Sequence, residues 1–463
     1  MITGESRPVT KETGASVVAG TVAVGGSLRV RVTATGEGTA LSGIMRLVEA
    51  AGASASRAQA LADRAAGLLF YVAVAAGSIT LLGWLALDEP EAAFTRAATV
   101  LVIACPHALG LAIPLVIAIS TSLGARSGLL VKDRMALERA RNLDLVIFDK
   151  TGTLTKGAPI LIGVASAGGI DEAELLRLAA AVEADSEHPI GRAVVRGASE
   201  RGLAPMRATV FEPLPGRGAR AVVGKRSVAV GGPRLLGELK LTAPAGLEPQ
   251  AWAVGGATIL HVVVDGRVAG ALALEDELRP ESREAVTRLH ALGIKVAMIT
   301  GDSLAVADAV AARLGIDEIA AQVLPADKAA AVRRFQAGGW KVAMVGDGVN
   351  DAPALATADV GIAIGAGTDV AIESAGIVLV RSDPRDVVGA IALSRASYGK
   401  MLQNLAWATA YNVIAIPVAA GVLVPWGIDL PMAVGAIAMS ASTIIVAANA
   451  QLLRRLRLGP TST

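Results

Sequence analysis

The sequence has little cysteine and little net charge. One cysteine, Cys105, stands among 463 residues, so no disulfide can form within the chain. Basic and acidic residues nearly balance at a formal net charge of +2, so the composition gives no reason to expect a nucleic-acid partner. No signal peptide is visible, and membrane insertion would then depend on the first hydrophobic hairpin.

Apolar residues, in contrast, are abundant. They make up 53% of the chain, and the mean hydropathy is +0.55. Four stretches are long and apolar enough to cross a lipid bilayer, and they form two hairpins. They span about 65 to 87, about 97 to 124, about 404 to 424 and about 432 to 453. The composition predicts a membrane protein with substantial soluble domains.

The charges around these stretches predict an orientation. The turn of the first hairpin is acidic, and the turn of the second, residues 425–431, has no lysine or arginine. Basic residues flank the other ends, although Arg96 near an outer end is an exception. The positive-inside rule therefore places the soluble domains in the cytoplasm of a multi-pass cell-membrane protein. The flanking basic residues are Arg126, Lys132, Arg134, Arg454, Arg455 and Arg457.

The most informative motif is Asp149-Lys150-Thr151-Gly152-Thr153-Leu154-Thr155, which follows the apolar run at 145–148. A carboxylate at the end of a strand can attack a phosphoryl group, while Lys150 and the loop amides offset charge on the transferred oxygens. Thr151 stands where phosphatases of the haloacid-dehalogenase type keep a second aspartate. Because threonine cannot act as a general acid or base, the phosphoenzyme is expected to persist.

Three further segments downstream follow short apolar runs or precede helical patterns. One can hold phosphoryl oxygens, one supplies a positive charge, and one offers carboxylates on a glycine turn for Mg²⁺. Together they predict a parallel doubly wound sheet with its site at the carboxyl ends of the strands. The segments are Thr300-Gly301-Asp302, Lys328, and Gly346 to Asp351 with Asp347 and Asp351 as the carboxylates.

These motifs resemble those of P-type ATPases, and more narrowly the heavy-metal-transporting subgroup, over essentially the whole chain. The resemblance implies ATP as substrate, Asp149 as the phosphorylated aspartate, and Asp347 with the Thr151 carbonyl as Mg²⁺ ligands. It also implies that Glu5, in Thr3-Gly4-Glu5-Ser6, positions water for dephosphorylation. Separating this base from the nucleophile would let a domain movement decide when hydrolysis occurs.

The expected fold is a multi-domain membrane protein. It combines α-helical transmembrane hairpins, an α/β haloacid-dehalogenase-like phosphorylation domain, an α+β nucleotide-binding insertion and a β-rich partial actuator domain. The predicted ranges are 1–48 for the actuator, 49–125 for a linker helix and the first hairpin, 126–157 and 271–385 for the phosphorylation domain, 158–270 for the insertion, 386–453 for a stalk and the second hairpin, and 454–463 for a basic tail.

The insertion is expected to hold the nucleotide. Ser186-Glu187-His188-Pro189 resembles a signature of the heavy-metal subgroup, and Gly216-Arg217-Gly218 resembles its Gly-x-Gly turn. By this resemblance Glu183 and His188 contact adenine, and the two glycines let the backbone approach the nucleotide. Gly232 departs from the family, many of whose members have asparagine there, so one ribose or phosphate contact is absent or supplied elsewhere.

In the membrane, Cys105-Pro106-His107 lies inside an apolar stretch. Proline removes an amide donor, so the helix must open there. A thiol beside an imidazole favours Cu⁺, Ag⁺ or Zn²⁺ over Mg²⁺ or Ca²⁺. The alternative is a kink in which the cysteine acts as a small apolar residue.

The last hairpin adds Tyr411, Asn412, Met439 and Thr443, which the resemblance implies as further ligands of the transported ion; Met439 as core filler is the alternative. The Cys-Pro-His pattern resembles the branch assigned to copper, as Cu⁺ or Cu²⁺, and to silver. The expected function is ATP-driven export of copper, with a metallochaperone as an expected partner. The alternatives are a zinc or cobalt pump of the same mechanism, or a fragment that binds nucleotide and metal without transport.

The family pattern also contains segments that this sequence does not show. These are an earlier half of the actuator, four preceding membrane helices and often a metal-binding tail. The sequence is therefore expected to be an N-terminally truncated form with little coupled transport. The region of about 146 to 385 is expected to fold alone, because both its lobes are soluble.

Overall fold

A computed structural model describes residues 57–458 except 106, 187, 205, 215, 248, 250, 251, 253–256 and 366–368, together with residues 17, 30–32 and 35. Nearly all of the predicted actuator, including Glu5, lies outside the described residues.

The described residues form helices and strands that alternate along most of the chain. The helices are α1 (Arg57–Ala86), α2 (Pro90–Ile103), α3 (His107–Ala112), α4 (Pro114–Arg126), α5 (Arg134–Ala140), α6 (Glu172–Glu183), α7 (Pro189–Glu200), α8 (Pro233–Leu239), α9 (Pro280–Ala291), α10 (Leu304–Leu314), α11 (Lys328–Ala337), α12 (Ala352–Thr357), α13 (Asp369–Ser374), α14 (Arg385–Ala419) and α15 (Met432–Gln451). The strands are β1 (Leu129–Val131), β2 (Leu145–Asp149), β3 (Thr155–Ser166), β4 (Ala208–Leu214), β5 (Gly218–Val223), β6 (Arg226–Gly231), β7 (Thr258–Val264), β8 (Arg267–Leu278), β9 (Lys295–Ile299), β10 (Glu318–Ala320), β11 (Val342–Gly346), β12 (Val360–Ile364) and β13 (Ile377–Leu379).

The phosphorylation domain is built on a seven-stranded sheet in the order β1-β13-β12-β11-β2-β9-β10. Every pairing is parallel except that of β1 with β13. Central strand β2 is buried along its whole length. Val146 and Phe148 pack into the core on one face, and Leu145 and Ile147 into the core on the other. Burial on both faces explains why the strand is a continuous apolar run.

The insertion between β2 and β9 is a six-stranded antiparallel sheet in the order β3-β8-β7-β6-β5-β4. Helices α6 and α7 supply part of its separate hydrophobic core, with Leu175, Val182 and Val194 fully buried. Strands β3 and β8 extend beyond the predicted insertion of 158–270, because they continue as a paired ribbon from Thr155 and Leu278 at the phosphorylation loop.

Two helices among the described residues are long and apolar enough to cross a membrane, Asp63–Ala86 and Met432–Arg455. Only 17% of each apolar window is buried, whereas a core helix of a soluble protein would be mostly buried. The other two predicted spans do not form single helices that are long and apolar enough to cross a membrane by the same measure. The stretch at 97–124 is divided among α2, α3 and α4, because Pro106 and Pro114 lack the amide hydrogen that a continuous helix needs. The stretch at 404–424 begins inside α14, whose polar residues lower its hydropathy.

Candidate functional site

The sheet topology brings the predicted phosphate and magnesium residues together. Strand β2 lies between β9 and β11, with Asp149 opposite Ile299 and Phe148 opposite Val345. The loops after these three parallel strands therefore meet at one edge of the sheet. This edge holds the Asp149, Thr300 and Asp347 segments that the sequence analysis selected.

Lys328 joins two buried carboxylates at this edge. Its Nζ donates to Asp149 Oδ1 and to Asp351 Oδ1, at 2.7 Å in each case. Burial lowers the pKa of Lys328, but the two carboxylates outweigh this effect and raise the pKa above its ordinary value. Lys328 is therefore a fixed positive charge beside the Asp149 carboxylate.

Negative charge nevertheless remains in excess. Burial and the neighbouring Asp351 carboxylate raise the pKa of Asp149 to about 7, although Lys328 opposes the shift. Burial and Asp351 also raise the pKa of Asp347. One oxygen from each of these three carboxylates lies within 4.8 Å of the others. A hard cation with oxygen ligands fits this group, so the donor set suits Mg²⁺.

The loop after Asp149 approaches Asp347 closely. Gly152 has a φ of +76°, and a Cβ at that position would lie 2.0 Å from Asp347 Oδ2. Glycine is required there both by the left-handed backbone and by this contact. Thr155 fixes the end of the loop, because its hydroxyl oxygen accepts from the Gly152 amide at 3.2 Å.

Sequence reasoning did not select Asp276 and Arg279 as site residues, yet both contact the phosphorylation loop. The Arg279 guanidinium donates to the Gly152 carbonyl at 3.0 Å and to the Thr153 carbonyl at 3.1 Å. Asp276 accepts from the Thr155 hydroxyl and, at 3.1 Å, from the Ala158 amide. Asp276 lies near the end of β8 and Arg279 directly after it, where the strand returns to the loop, and this position was the available signal.

The Thr300-Gly301-Asp302 segment is joined to the same loop by an ion pair between Lys150 and Asp302. Thr300 is buried, and its hydroxyl accepts from the Asp302 amide at 3.1 Å. The structure therefore places this segment beside Asp149, with the Asp302 carboxylate engaged by Lys150.

In the insertion, Glu183 and His188 lie close to each other. Glu183 ends α6 and is buried, which raises its pKa against the effect of a hydrogen bond with Ser186. His188 precedes α7, and its Nδ1 accepts from the Ile190 amide at 3.3 Å. Glu183, Ser186 and Arg192 line a cavity of about 360 Å³.

The predicted glycine pair lies elsewhere on the insertion, at the turn into β5. Gly218 has a φ of +144°, and a Cβ there would lie 2.0 Å from the Val230 carbonyl oxygen, whereas Gly216 with a φ of +71° meets nothing within 4 Å. Strands β5 and β6 pack against α6, the helix that ends in Glu183. Gly232 is the residue before α8 and likewise has open space around it.

In the membrane helices, Cys105 and His107 are both exposed at the opening between α2 and α3. Their neighbours show their level in the bundle. Ala104 packs in one cluster with Tyr411, and Ala108 packs in another with Ala408 and Val446. Cys105 and His107 do not belong to a group of three or more clustered His, Cys, Asp or Glu side chains among the described residues; the one such group lies around Asp149.

Three buried polar atoms near this level have no hydrogen-bond partner within the described part of the chain. They are Tyr411 Oη, Asn412 Oδ1 and Ser442 Oγ. The Asn412 amide nitrogen donates to the Ala408 carbonyl at 2.9 Å, so only its oxygen is free. Met439 is half-buried, and Thr443 donates to the Met439 carbonyl at 3.2 Å. Unpartnered oxygens among membrane helices are costly unless a ligand compensates them.

Comparisons with known proteins agree with this geometry. Residues 1–49 match the P-type ATPase actuator domain, and residues 143–359 match the haloacid dehalogenase-like hydrolases. The chain is 53% identical to Copper-exporting P-type ATPase B of Archaeoglobus fulgidus, covering 98% of this chain and 65% of that protein. It is 42% identical to a Staphylococcus aureus protein named "Probable copper-transporting P-type ATPase B", covering 98% of this chain and 68% of the relative.

A solved structure is also similar. The crystal structure of a zinc-transporting PIB-type ATPase in the E2.Pi state has a TM-score of 0.69 and 34% identity, covering 90% of this chain and 68% of that one. The chain thus spans about two thirds of the length of these relatives. The predicted multi-domain fold is confirmed, and the chain belongs to the heavy-metal-transporting P-type ATPases.

Proposed function

We propose that the chain carries out ATP-driven export of copper through a phosphorylated aspartate. The observation that supports this most is that Lys328 joins two buried carboxylates, those of Asp149 and Asp351. Asp149 and Lys328 are 179 positions apart in the sequence. This arrangement lies in one polypeptide with an opened membrane helix that bears the only thiol. Phosphoryl chemistry and a soft-metal site are the two components that such a pump requires.

Asp149 is the nucleophile. Its carboxylate oxygen bonds to the γ-phosphorus of ATP while the bond from that phosphorus to the β,γ-bridging oxygen breaks, and ADP leaves. Lys328 and Lys150 supply positive charge to the transferred oxygens. Asp347, Asp351, Asp149 and the Thr151 carbonyl would hold Mg²⁺, which when bound offsets the negative charge of the carboxylates and the phosphate.

Dephosphorylation is assigned to Glu5. Thr151 offers no general base next to the acyl phosphate, so hydrolysis requires a base from another domain. The match of residues 1–49 to the actuator domain supports this assignment, although Glu5 itself lies outside the described residues. Hydrolysis then depends on movement of one domain toward another.

The transported ion is proposed to bind at Cys105, His107 and Met439, with Tyr411, Asn412 and Thr443 completing the site. Thiolate, imidazole and thioether suit Cu⁺, and the nitrogen also admits Cu²⁺ or Ag⁺. The free oxygens of Tyr411 and Asn412 support a ligand at this level. The names of the curated relatives favour copper.

Zinc is a second candidate, because the similar solved structure is named as zinc-transporting. The mechanism would be unchanged. The soluble domains are proposed to lie on the cytoplasmic side of the cell membrane, where ATP and a metallochaperone would reach them.

Acid-stable phosphorylation by radiolabelled ATP tests the chemistry. Asp149→Asn should abolish labelling, whereas Glu5→Gln should permit labelling and slow its decay. Undiminished labelling of the Asp149 variant would refute the phosphoenzyme, and unchanged decay in the Glu5 variant would refute the role of Glu5.

ATP hydrolysis measured separately with Cu⁺, Cu²⁺, Ag⁺, Zn²⁺ and Co²⁺ tests the metal. Copper or silver ions should stimulate most, and Cys105→Ser should remove the stimulation because it removes the only thiolate. His107→Cys should shift the preference toward Cu⁺ and Ag⁺ over Cu²⁺. Stimulation by Zn²⁺ or Co²⁺ alone would refute copper while leaving the pump mechanism intact.

A further inference from the structure

A chain of three hydrogen bonds crosses the membrane helices between α14, α15 and the break that separates α3 from α4. Lys400 Nζ donates to Asn449 Oδ1 at 2.8 Å. Asn449 Nδ2 donates to Asn404 Oδ1 at 2.8 Å, and Asn404 Nδ2 donates to the Ala112 carbonyl at 3.1 Å. Asn404 is 1% exposed.

The two ends of this chain determine its direction. An ammonium group can only donate, and a backbone carbonyl can only accept. Asn449 and Asn404 must therefore each accept on one side and donate on the other, which a primary amide does. Replacing either amide by an apolar group of similar shape breaks the chain and leaves its neighbour without a partner.

The chain ends at the short helix that carries one of the proposed metal ligands. Ala112 is the last residue of α3 and His107 is the first, a separation of about 7.5 Å along the helix. Asn404 lies about 12 Å before Asn412 on α14. Ala108 and Ala112 also pack against Ala408 and Val446. The hydrogen bonds therefore hold α3 against the two helices that bear the other proposed ligands.

We propose that Asn404 and Asn449 are positioning residues. They hold α3, and with it Cys105 and His107, in place relative to α14 and α15. The metal consequence of this proposal rests on the proposed function of that site, but the position of α3 can be measured without metal.

Cys105 provides the measurement, because it is the only thiol and is exposed. The rate of its alkylation by N-ethylmaleimide is compared in the purified chain in detergent micelles. Asn404→Leu and Asn449→Leu should each raise the rate about tenfold, which corresponds to about 1.4 kcal/mol. The double variant should exceed either single variant by no more than about twofold, because both substitutions break one chain.

Gln403→Leu is the matched control. Gln403 is exposed on the same helix and contacts only the Lys400 end of the chain, at 3.1 Å. Its alkylation rate should stay within about twofold of the unsubstituted chain. Equal rates in the unsubstituted chain and both asparagine variants would overturn the proposal.

Protection of Cys105 by Ag⁺ against alkylation tests the proposed metal site. Ag⁺ should block alkylation of the unsubstituted chain, and the asparagine variants should need about tenfold more Ag⁺ for half protection. If Ag⁺ never protects Cys105 but the asparagine variants still react faster, the proposed metal site fails and the positioning role stands.

Cooperative thermal unfolding and phosphorylation by ATP show whether each variant is folded. If the leucine variants do not fold, the alkylation rates of Lys400→Gln and Lys400→Met test the proposal instead. Glutamine keeps a hydrogen-bond donor toward Asn449, and methionine does not. Faster alkylation in the methionine variant alone supports the chain, and equal rates in both overturn it.

Discussion

At the scale of single residues, the proposed phosphorylation site combines buried carboxylates with only partial compensation of their charge. Asp149 is buried next to Asp351, so its carboxylate is disfavoured, and its pKa rises to about 7. Lys328 compensates for part of this charge. The remaining negative charge favours a bound cation and makes the stability of the folded chain dependent on pH.

The pH dependence of stability is the first prediction. The pKa of Asp149 rises from 3.8 to about 7 on folding, so the folded chain binds a proton that the unfolded chain has released between these values. The contribution of Asp149 to the free energy of unfolding therefore falls as the pH rises from about 4 to about 7, and it stays low above about pH 7. Asp149→Asn, whose oxygen can still accept from Lys328, should raise the melting temperature at pH 8 without Mg²⁺.

The gain in melting temperature from Asp149→Asn should become smaller toward pH 5, and it should also become smaller when Mg²⁺ is added. Asp317→Asn is a control of opposite sign. Although partial burial opposes the effect, the hydrogen bond from the Val296 amide lowers the pKa of Asp317, so this variant should lose stability at pH 8. A gain for Asp149→Asn that is the same at pH 5 and pH 8 would contradict the prediction.

A second residue prediction concerns Gly152. Gly152→Ala should reduce phosphorylation by ATP at least about tenfold, because its Cβ would collide with the Asp347 carboxylate. Gly224→Ala is the control, since Gly224 also has a positive φ, +65°, but meets nothing within 4 Å. Both share a backbone penalty of about 1 to 2 kcal/mol, so equal phosphorylation in the two variants would show that the contact with Asp347 is unimportant.

At the scale of elements, α14 belongs to two parts of the molecule. Its first turns pack into the core of the phosphorylation domain, and its later turns carry Asn404, Tyr411 and Asn412 among the membrane helices. Strand β1 and helix α5 complete the same core from the other side, and Ser394 donates to the Leu137 carbonyl. The structure thus favours a soluble unit longer than the predicted region of 146–385.

The fragment of residues 127–396 should therefore unfold cooperatively. In the fragment of residues 146–385, the phosphorylation domain should not show a cooperative unfolding transition. The shorter fragment loses buried side chains worth about 1.5 to 3 kcal/mol each, which together approach the whole stability of a domain, about 5 to 15 kcal/mol. Circular dichroism during heating measures this. The lost side chains are Leu129, Val131, Leu137, Val387, Ile391 and Leu393.

Nucleotide binding is the internal control, because the insertion has a core of its own and should bind ATP in both fragments. Equal melting temperatures for the two fragments would contradict the prediction.

At the scale of the whole molecule, the two hairpins are joined near their turns. Arg96 pairs with Asp429 at 2.8 Å and lies 4.6 Å from the centre of the Trp84 ring. Trp84 Nε1 donates to the Ala420 carbonyl at 2.9 Å. Asp429 thus gives an acidic partner to Arg96, the arginine that departs from the predicted positive-inside pattern.

Trp84 should contribute more to the stability of the folded chain than the ion pair between Arg96 and Asp429. Asp429 is largely exposed, and such pairs contribute about 0 to 1 kcal/mol. Trp84→Phe removes a hydrogen bond of about 1 kcal/mol together with part of the ring under Arg96. Thermal unfolding in detergent should therefore show a larger loss for Trp84→Phe than for Asp429→Asn, and the reverse order would contradict this account.

The sequence by itself determined the family of the protein. Asp149 and Asp347 could be selected as candidate site residues, because a short apolar run followed by a polar turn is a local pattern, and the structure places their carboxylates together. The doubly wound sheet followed from the same alternation of strands and helices, since parallel strands align their carboxyl ends.

Only the tertiary structure decided which of these groups touch. Asp149 and Lys328 are 179 positions apart, and Asn404 lies 292 positions from Ala112. The Arg279 contact with the Thr153 carbonyl spans 126 positions, and the shared core of α14 and β1 also joins segments far apart in sequence. Local pattern determines strands, turns and the acid, base or ligand type of a side chain, whereas contacts over such separations depend on how the sheets and helices pack.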